Sequence, residues 1–424
     1  MFLSALRLRN FRSYCDTAVA FGPGLNVVVG ANATGKTNLL EGAFFALRGA
    51  SPRTRREEKL VAWGQGFARV TVRLDGLGDR PQEVEVGYAP GEGKRVRWDG
   101  LEVAALDDLR RRCQVFMFVP ESLLLVKGSP ARRRAHLDGF AASVDPPYAA
   151  AARDLQAALR QRNAQLVNVR AGAPAATLDP WDAQFAHAAA ELGRRRAGLV
   201  ADLGERFADF AAALAPAGER FALRLISQLD GLSHDENALL ERLLERRPVE
   251  VQRGLTMVGP HRDDLRFVEV AADVVRAAAQ DGAAVEADAS EGGPEAGDVA
   301  RDVAGETAGA VAAAIACGAV TLPAGGRDLR LFGSQGEQRA AVLALLLAEQ
   351  ALAAERTGEL GALFLDDVMS ELDDARRRLL VAILAGTGQA IITTTNRHYF
   401  TDDELAAATV IELPLAGAAG AAAS

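Results

Sequence analysis

In the first 119 residues, several separate stretches show hydrophobic and polar positions with a period of two or short apolar runs, and residues 39–47 are typical of a helix. Alternation of this kind, and short apolar runs bounded by Gly- or Pro-containing turns, are typical of β-strands. The pattern predicts strands over residues 1–12, 25–29, 67–74, 82–88, 94–98 and 115–119. In the first strand we expect Leu6, Leu8 and Asn10 on one side and Arg7, Arg9 and Phe11 on the other.

From about residue 131 the apolar positions recur every three or four residues, as in amphipathic helices. Long helices are predicted over residues 148–169, 180–215 and 234–246, with breaks at Pro- and Gly-containing segments. A further apolar helix is predicted over 341–347, and strand patterns return at 362–367 and 389–395. The helical block lies between two parts of an α/β pattern, which predicts a helical lobe inserted into an α/β domain.

Residues 269–326 differ from the rest of the chain, because they are rich in Ala, Gly, Asp and Glu and nearly lack large apolar side chains. Such a segment buries too little apolar surface to offset the entropy lost on ordering. We therefore expect it to be mostly disordered, with a weak helix over 298–317 as the alternative. The Gly/Ala-rich tail, 414–424, is expected to be disordered as well.

The chain has a net charge of −8, which argues against a nucleic-acid-binding protein unless the charge is unevenly distributed. Ten acidic and two basic residues lie between Val268 and Gly326, so this segment accounts for all of the net charge. The neutral remainder carries four clusters of arginine: Arg53/Arg55/Arg56, Arg110/Arg111/Arg112, Arg132/Arg133/Arg134 and Arg194/Arg195/Arg196. Each cluster is a candidate for phosphate contacts, and solvated helix faces with ion pairs are the alternative.

Composition places the chain among ordinary globular proteins of two or three domains, with 424 residues, 49% hydrophobic and 25% charged. The three cysteines, Cys15, Cys113 and Cys317, are odd in number and widely spaced, which predicts neither a disulfide framework nor a zinc site. The N-terminus is not typical of a signal peptide, and no apolar run approaches the ~20 residues of a membrane span. We therefore expect a cytoplasmic protein without membrane contact.

Residues 30–37 match the P-loop pattern G-x-x-x-x-G-K-[ST] in full, between an apolar strand and a predicted helix. Glycine lets the backbone curl until successive N–H groups point at phosphate oxygens, and the helix adds its positive N-terminal end. Lys36 is expected to reach the β- and γ-phosphates of ATP, and the Thr37 hydroxyl to ligate Mg²⁺. The predicted nucleotide-binding residues of this loop are Gly30, Ala31, Asn32, Ala33, Thr34, Gly35, Lys36, Thr37 and Asn38.

A second motif completes the predicted ATP site. The apolar strand at 362–365 ends in Asp366 and Asp367, which is a Walker B pattern when it follows a P-loop. Asp366 is expected to hold Mg²⁺, directly or through water, and Asp367 to orient or deprotonate the attacking water. A buried strand that ends at an ordinary Asp-Asp turn is the alternative.

The third motif precedes the helix at 341–347. Ser334 is a plausible N-cap, with Glu337 three residues on as in a capping box. A capped core helix explains this pattern alone; together with the two other motifs, it resembles the signature of ABC-type ATPases. In those proteins this turn binds the γ-phosphate of ATP held by a partner subunit, so Ser334, Gly336 and Glu337 are predicted nucleotide contacts. The strand at 389–395 ends in threonine where ABC ATPases usually have a histidine, which predicts slow hydrolysis.

Several strings resemble the RecF family, which is related to SMC proteins. Apart from the P-loop and the two later motifs, the resemblance is carried by residues 10–14, 51–54, 118–123, 126–130, 132–134, 137–138, 162–163, 181 and 259–265. The last string, Gly-Pro-His-Arg-Asp-Asp-Leu, is specific to the family but leaves the roles of its residues open. A polar turn between strands is the alternative. The resemblance covers the chain to about residue 413, apart from the acidic insertion.

The resemblance implies an α/β fold, with an ABC-type P-loop ATPase head (a mixed sheet with flanking helices) and an inserted helical second lobe. It assigns residues 1–138, 251–268 and 327–413 to the head and 139–250 to the lobe. It also implies weak ATPase activity, an ATP-dependent homodimer, and binding of single- and double-stranded DNA at gaps. RecO and RecR are the implied partners in loading RecA, in recombinational repair and replication restart. A transporter ATPase, or an interaction protein with a degenerate ATP site, is the competing hypothesis.

Overall fold

The structure is a computed structural model that describes residues 1–103, 106–215, 220–227, 235–270 and 326–414. The disorder predicted for 269–326 and for the C-terminal tail therefore falls almost entirely outside the described residues, as does the alternative helix at 298–317. The chain divides into two compact units. Unit 1 comprises Met1–Leu123 and Glu349–Ser424, and unit 2 comprises Leu124–Ala348.

The strands, in chain order, are β1 Phe2–Phe11, β2 Tyr14–Ala20, β3 Leu25–Val29, β4 Ala68–Asp75, β5 Gln82–Ala89, β6 Gly93–Trp98, β7 Leu101–Glu102, β8 Val115–Phe118, β9 Phe221–Ile226, β10 Asp264–Glu269, β11 Arg327–Asp328, β12 Ala362–Leu365, β13 Ala390–Thr394 and β14 Thr409–Glu412. The helices are α1 Lys36–Arg48, α2 Leu106–Arg112, α3 Leu124–Lys127, α4 Pro130–Val144, α5 Pro146–Arg170, α6 Asp179–Ala213, α7 Glu236–Arg253, α8 Leu329–Phe332, α9 Gln335–Thr357, α10 Asp374–Leu384 and α11 Asp402–Ala407.

Unit 1 contains a five-stranded parallel sheet in the order β14-β3-β13-β12-β8. Its central strands β12 and β13 are buried on both faces, which explains why β12 is a continuous apolar run and β13 begins as one, rather than alternating. In a parallel sheet of this kind, ligands bind at the carboxyl ends of the strands. The loops that follow β3 and β12 lie at that edge and carry the first two predicted motifs. The predicted α/β class is confirmed.

A second sheet in unit 1 is antiparallel, in the order β2-β1-β4-β5-β6-β7. Helix α1 contacts strands of both sheets, and the side chains between them form one apolar core. The predicted alternation of β1 stops at Asn10, which has a left-handed backbone with φ 50°. Phe11 is therefore fully buried, as are Leu6 and Leu8, instead of lying on the opposite side.

Unit 2 is built on the helices α4–α7 and a three-stranded antiparallel sheet in the order β11-β10-β9. Strand β9 lies within the block predicted to be helical, and its pairing with β10 is what the helical periodicity missed. Helix α7 also continues through Pro248 to a left-handed cap at Gly254 (φ 68°), beyond its predicted end at 246. It begins after Asp235, whose side chain accepts hydrogen bonds from the N–H groups of Asn237 and Ala238.

Candidate nucleotide-binding site

The P-loop connects β3 to α1 and is held by its neighbours. The N–H of Gly30 donates to the carbonyl of Thr394 at 3.1 Å, which anchors the loop to the end of β13. Gly35 has φ 100°, and a Cβ added there would lie 2.8 Å from the Tyr14 hydroxyl oxygen. Only glycine satisfies both conditions without strain. Ala33 also has a left-handed backbone, with φ 66°, so the alanine found where many ABC proteins have glycine is accommodated at a cost of about 1–2 kcal/mol.

Lys36, the first residue of α1, closes the loop on itself. Its ammonium group donates to the carbonyls of Gly30 at 2.6 Å and Ala31 at 2.9 Å. Burial lowers the pKa of Lys36, and the nearby carboxylates of Asp367 and Asp366 oppose that shift. The first N–H groups of α1 have no carbonyl one turn before them to bind. A cation beside free N–H groups at a helix N-terminus is an arrangement that binds phosphate.

Thr37 and Asp366 meet directly. The Thr37 hydroxyl donates to Asp366 Oδ2 at 2.7 Å, and the Thr393 hydroxyl donates to Asp366 Oδ1 at 2.7 Å. The pKa of Asp366 is raised by burial, although both hydroxyl hydrogen bonds favour the carboxylate. The predicted partners of the P-loop and the strand end are thus brought together.

Asp367 adopts a left-handed backbone, with φ 49°, at the end of β12. Its N–H donates to the Thr393 hydroxyl at 2.9 Å, so one buried threonine holds both acidic residues. The Asp367 Oδ1 atom is buried and has no hydrogen-bond partner within the described residues. A non-glycine residue in this conformation costs free energy and persists where its surroundings hold it, as is common at functional sites. Thr393 was not among the predicted site residues.

The oxygen atoms at this site fit Mg²⁺. The cation prefers hard oxygen ligands and usually takes one or two from the protein, with the rest from phosphate and water. Thr37 Oγ1 and Asp366 Oδ2 are such a pair, and Asp367 Oδ1 is a further acceptor without a partner. Within the described ranges, no group of three or more His, Cys, Asp or Glu residues forms a metal site.

Glu41 on α1 assembles two of the family-like strings behind the P-loop. Its fully buried carboxylate pairs with Arg12 at 2.7 Å and with Arg53 at 3.3 Å, and it accepts the Ser51 hydroxyl at 2.6 Å. Arg53 also donates to the Asn38 side chain at 3.3 Å. A buried carboxylate needs such compensation. The strings at residues 10–14 and 51–54 are therefore adjacent in space because they share this residue.

Tyr14 supports the loop from the antiparallel sheet. Its hydroxyl donates to the carbonyl of Gly35 at 3.2 Å, and burial raises the pKa of this phenol to about 12. Ser13 beside it accepts a hydrogen bond from the Asn38 side chain at 2.9 Å. The side chain of Asn38, a predicted nucleotide contact, is thus engaged with Ser13 and Arg53.

The predicted capping box is confirmed in unit 2. The N–H of Ser334 donates to Glu337 Oε2 at 2.7 Å, and the N–H of Glu337 donates to the Ser334 hydroxyl oxygen at 3.2 Å. Ser334 and Gln335 are exposed, and Gly336 is half-buried. The Ser334 oxygen accepts one hydrogen bond within the turn, which leaves the hydroxyl proton available for donation to an outside acceptor. The pKa of Glu337 is lowered by hydrogen bonds from Ser334 and Arg327, which outweigh the effect of its burial.

The string at 259–265 is a buried junction. Gly259 has φ 124°, and an added Cβ would lie 2.9 Å from the Phe185 ring, so glycine is required. Arg196 of α6 donates to the Pro260 carbonyl at 2.6 Å and pairs with Asp263 at 2.9 Å. Arg133 of α4 pairs with Asp264 at 2.7 Å in the same way. The charged run in this string therefore fastens β10 to two helices of unit 2.

Burial shifts two pKa values in this junction in opposite directions. The pKa of Asp263 is raised to about 6, because desolvation of the carboxylate outweighs its pairing with Arg196. The pKa of His261 is lowered to about 4 by burial and by the charges of neighbouring arginines. His261 Nε2 lies 3.1 Å from the Thr256 carbonyl, which fits a neutral ring that donates from this nitrogen.

Most members of the four arginine clusters pair with acidic side chains of the protein. The pairs are Arg53–Glu41, Arg110–Asp107, Arg111–Asp108, Arg133–Asp264, Arg194–Glu191, Arg195–Glu191 and Arg196–Asp263. Arg55, Arg56 and Arg132 are exposed and have no acidic partner in the part of the chain that the structure describes. The ion-pair alternative therefore holds for most of these residues.

Comparison with known proteins agrees with this geometry. The profile of the RecF/RecN/SMC N terminal domain matches residues 2–412. The DNA replication and repair protein RecF of Heliobacterium modesticaldum is 32% identical over 389 residues, which cover 91% of this chain and 89% of the relative. The chain belongs to the RecF family. The RecF protein of Limosilactobacillus fermentum is 31% identical over 400 residues, with 92% of each chain covered.

Solved structures show the same fold for this RecF-family chain. The recombination mediator protein RecF-ATP in the RecFOR pathway has a TM-score of 0.71 at 23% identity, with 94% of this chain and 93% of that chain covered. The Smc head bound to the C-winged helix domain of ScpA has a TM-score of 0.52 at 15% identity, with 97% and 94% covered. No helix among the described residues is long and apolar enough to cross a membrane, and the transporter hypothesis has no support in these comparisons.

Proposed function

We propose that this RecF-family chain is an ATP-dependent DNA-binding protein of DNA replication and recombinational repair. The curated relatives are DNA replication and repair proteins named RecF, and their similarity extends over nearly the whole chain. The observation that carries the proposal is the assembly of Lys36, Thr37, Asp366 and Asp367 at one edge of the parallel sheet. These are the residue types that ATP and Mg²⁺ require, and none of them is replaced.

In the proposed site the loop from Gly30 to Thr37 binds the phosphates of ATP. Lys36 exchanges its two carbonyl partners for β- and γ-phosphate oxygens. Thr37 and Asp366 hold Mg²⁺, which neutralises charge on the phosphate oxygens when it is bound. Asp367 accepts a hydrogen bond or the proton from the attacking water through its unpartnered Oδ1.

The turn from Ser334 to Glu337, which we call the signature turn, completes the proposed cycle of ATP binding and hydrolysis. The exposed Ser334 and the half-buried Gly336 bind the γ-phosphate held by a second copy of the chain, so that ATP joins two subunits and hydrolysis releases them. The dimer binds single- and double-stranded DNA at gaps and acts with RecO and RecR in the loading of RecA. The division into a head and a helical lobe at the predicted boundaries, and a place in the cytoplasm, also remain predictions.

Arg55, Arg56 and Arg132 are the proposed DNA contacts among the clustered arginines, because they are exposed and lack an acidic partner within the described residues. Each phosphate contact that is lost should weaken binding similarly for all sequences and lower the salt dependence by about one unit in the log–log slope. Arg194, which already pairs with Glu191, provides the control substitution.

The deciding experiment measures DNA affinity with ATP, with ADP and without nucleotide. We expect ATP to tighten binding. Asp367→Asn should retain ATP binding, slow hydrolysis by about 10²- to 10⁴-fold, and accumulate the dimer. Lys36→Ala should abolish tight ATP binding. Asp374→Asn, an exposed acid at the start of α10, is the matched control and should hydrolyse ATP like the parent. DNA affinity that is the same in all three nucleotide states would refute the proposal.

A further inference from the structure

One guanidinium group connects the signature turn to the strands on which the acidic segment begins and ends. Arg327 in β11 pairs through Nε with Glu269 of β10, its cross-strand partner. Its Nη2 donates to Glu337 Oε1 at 2.8 Å, and its Nη1 donates to the Phe332 carbonyl at 3.2 Å. All three nitrogens of the side chain are thus used, and each bonds a different part of unit 2.

We propose that Arg327 is a positioning residue for the signature turn. This inference rests on the proposed function of Ser334 as a contact to the γ-phosphate. Glu337 divides its two oxygens between two donors, because Oε1 accepts from Arg327 and Oε2 from the N–H of Ser334. Because the carboxylate is planar, the hydrogen bond to Oε1 restricts rotation about the Cγ–Cδ bond and so restricts the position of Oε2. Arg327 thereby holds Ser334 through Glu337.

The signature turn depends on the hydrogen bonds from Arg327 and Glu337 because it is exposed. Ser334 and Gln335 are exposed, and α8 before them presents Leu331 and Phe332 to solvent, with 70% and 64% of their surface exposed. The turn therefore has little apolar burial of its own on this side. The planar fork of arginine suits two carboxylates and a carbonyl at once, which the point charge of lysine does not.

The expected magnitude follows from the exposure of the pair. The Arg327 side chain is 39% exposed and that of Glu337 is 14% exposed. The loss of a partly exposed pair of this kind changes an equilibrium by roughly one- to fivefold. A symmetric dimer uses two turns, so the two changes multiply. We expect Arg327→Ala to raise the Kd of the ATP-dependent dimer by up to about 25-fold.

The test measures the dimer Kd by analytical ultracentrifugation with ATP for Arg327→Ala, Glu337→Gln and the double variant. A glutamine has one acceptor oxygen and cannot serve both donors. If Arg327 acts through Glu337, the double variant should be no weaker than Glu337→Gln alone. Arg330→Ala, an exposed arginine three residues on, is the control and should match the parent. The affinity of the monomer for a fluorescent ATP analogue should be unchanged in Arg327→Ala and Arg330→Ala.

Amide hydrogen exchange in the nucleotide-free protein separates this inference from the proposed function. Arg327→Ala should speed exchange of the Ser334 and Glu337 amides by about two- to fivefold, and Arg330→Ala should not. A parent protein that stays monomeric with ATP would refute the dimer, while the exchange rates still test Arg327. Exchange rates and a dimer Kd equal to those of Arg330→Ala would overturn the inference, as would additive effects in the double variant.

Discussion

Thr393→Val tests whether one hydroxyl holds both acidic residues of the site. The substitution keeps the shape of the side chain but removes two hydrogen bonds, to Asp366 Oδ1 at 2.7 Å and from the N–H of Asp367 at 2.9 Å. Thr393 is fully buried, so water does not replace them. Loss of the bond to the carboxylate costs about 1.5–3 kcal/mol, and the unsatisfied buried N–H about 1–3 kcal/mol. We expect a total loss of about 2.5–6 kcal/mol in the free energy of unfolding.

The assay is urea unfolding of parent and variant at pH 7, combined with single-turnover ATP hydrolysis. Thr394→Val is the matched control, because Thr394 is equally buried but makes only neutral bonds within its own turn, at 3.1 and 3.2 Å to Asn396. The control should lose about 1 kcal/mol and retain hydrolysis. Equal stability losses in the two variants, or parent-like hydrolysis by Thr393→Val, would show that Thr393 does not position Asp366 and Asp367.

Three further predictions concern unit 2 and the acidic segment. Arg162→Met should lower the free energy of unfolding, measured by calorimetry, by about 3–5 kcal/mol, because it leaves the fully buried carboxylate of Glu250 without a counter-charge and that of Asp182 with Arg247 alone. Arg160→Met, on the exposed face of α5, should change it little in the same measurement. His261→Gln should gain stability relative to the parent as the pH falls from about 6.5 to 4, because the pKa of His261 is lowered to about 4 and the parent therefore loses stability in that window. Asp263, whose pKa is raised to about 6, is common to both proteins. Equal pH dependence of the free energy of unfolding in urea for the two proteins would contradict the prediction. Deletion of residues 271–323 removes a net charge of about −7, which repels DNA phosphates. It should therefore strengthen DNA binding at low salt, measured by fluorescence anisotropy. Loss of cooperative unfolding would mean that the segment belongs to the core.

The local motifs could be predicted from the sequence because each is a contiguous run with its own physical rationale. The P-loop, the strand that ends in Asp366 and Asp367, and the Ser334–Glu337 capping box all lie in the structure where the pattern placed them. In each of these motifs, the residues that define the local structure lie within eight positions of one another in the sequence. Thr37 and Asp366 are far apart in the sequence, but we expected them to lie close together because both were predicted to ligate Mg²⁺.

Contacts between distant residues could not be predicted in the same way. Thr393 is far in sequence from Thr37, and a threonine at the end of a buried strand has no distinguishing pattern. Strand β9 needed its partner β10 before its residues could be separated from a helical block. Local rules also failed where tertiary structure overrode them, as at Asn10, whose left-handed backbone turns Phe11 into the core, and at Pro248 inside α7.

The pairing of β10 with β11 has a consequence for how this chain can be altered. Glu269 and Arg327 are opposite each other in adjacent strands, so the two ends of the segment between them are cross-strand neighbours. If the deletion of residues 271–323 is tolerated, we expect that another segment can replace them without moving either strand, provided that its own ends are about 5 Å apart. The segment between β10 and β11 is therefore a suitable place to insert another domain. A compact reporter domain with adjacent termini, inserted there, would sit on the two strands joined by Arg327 and would signal rearrangement of the signature turn.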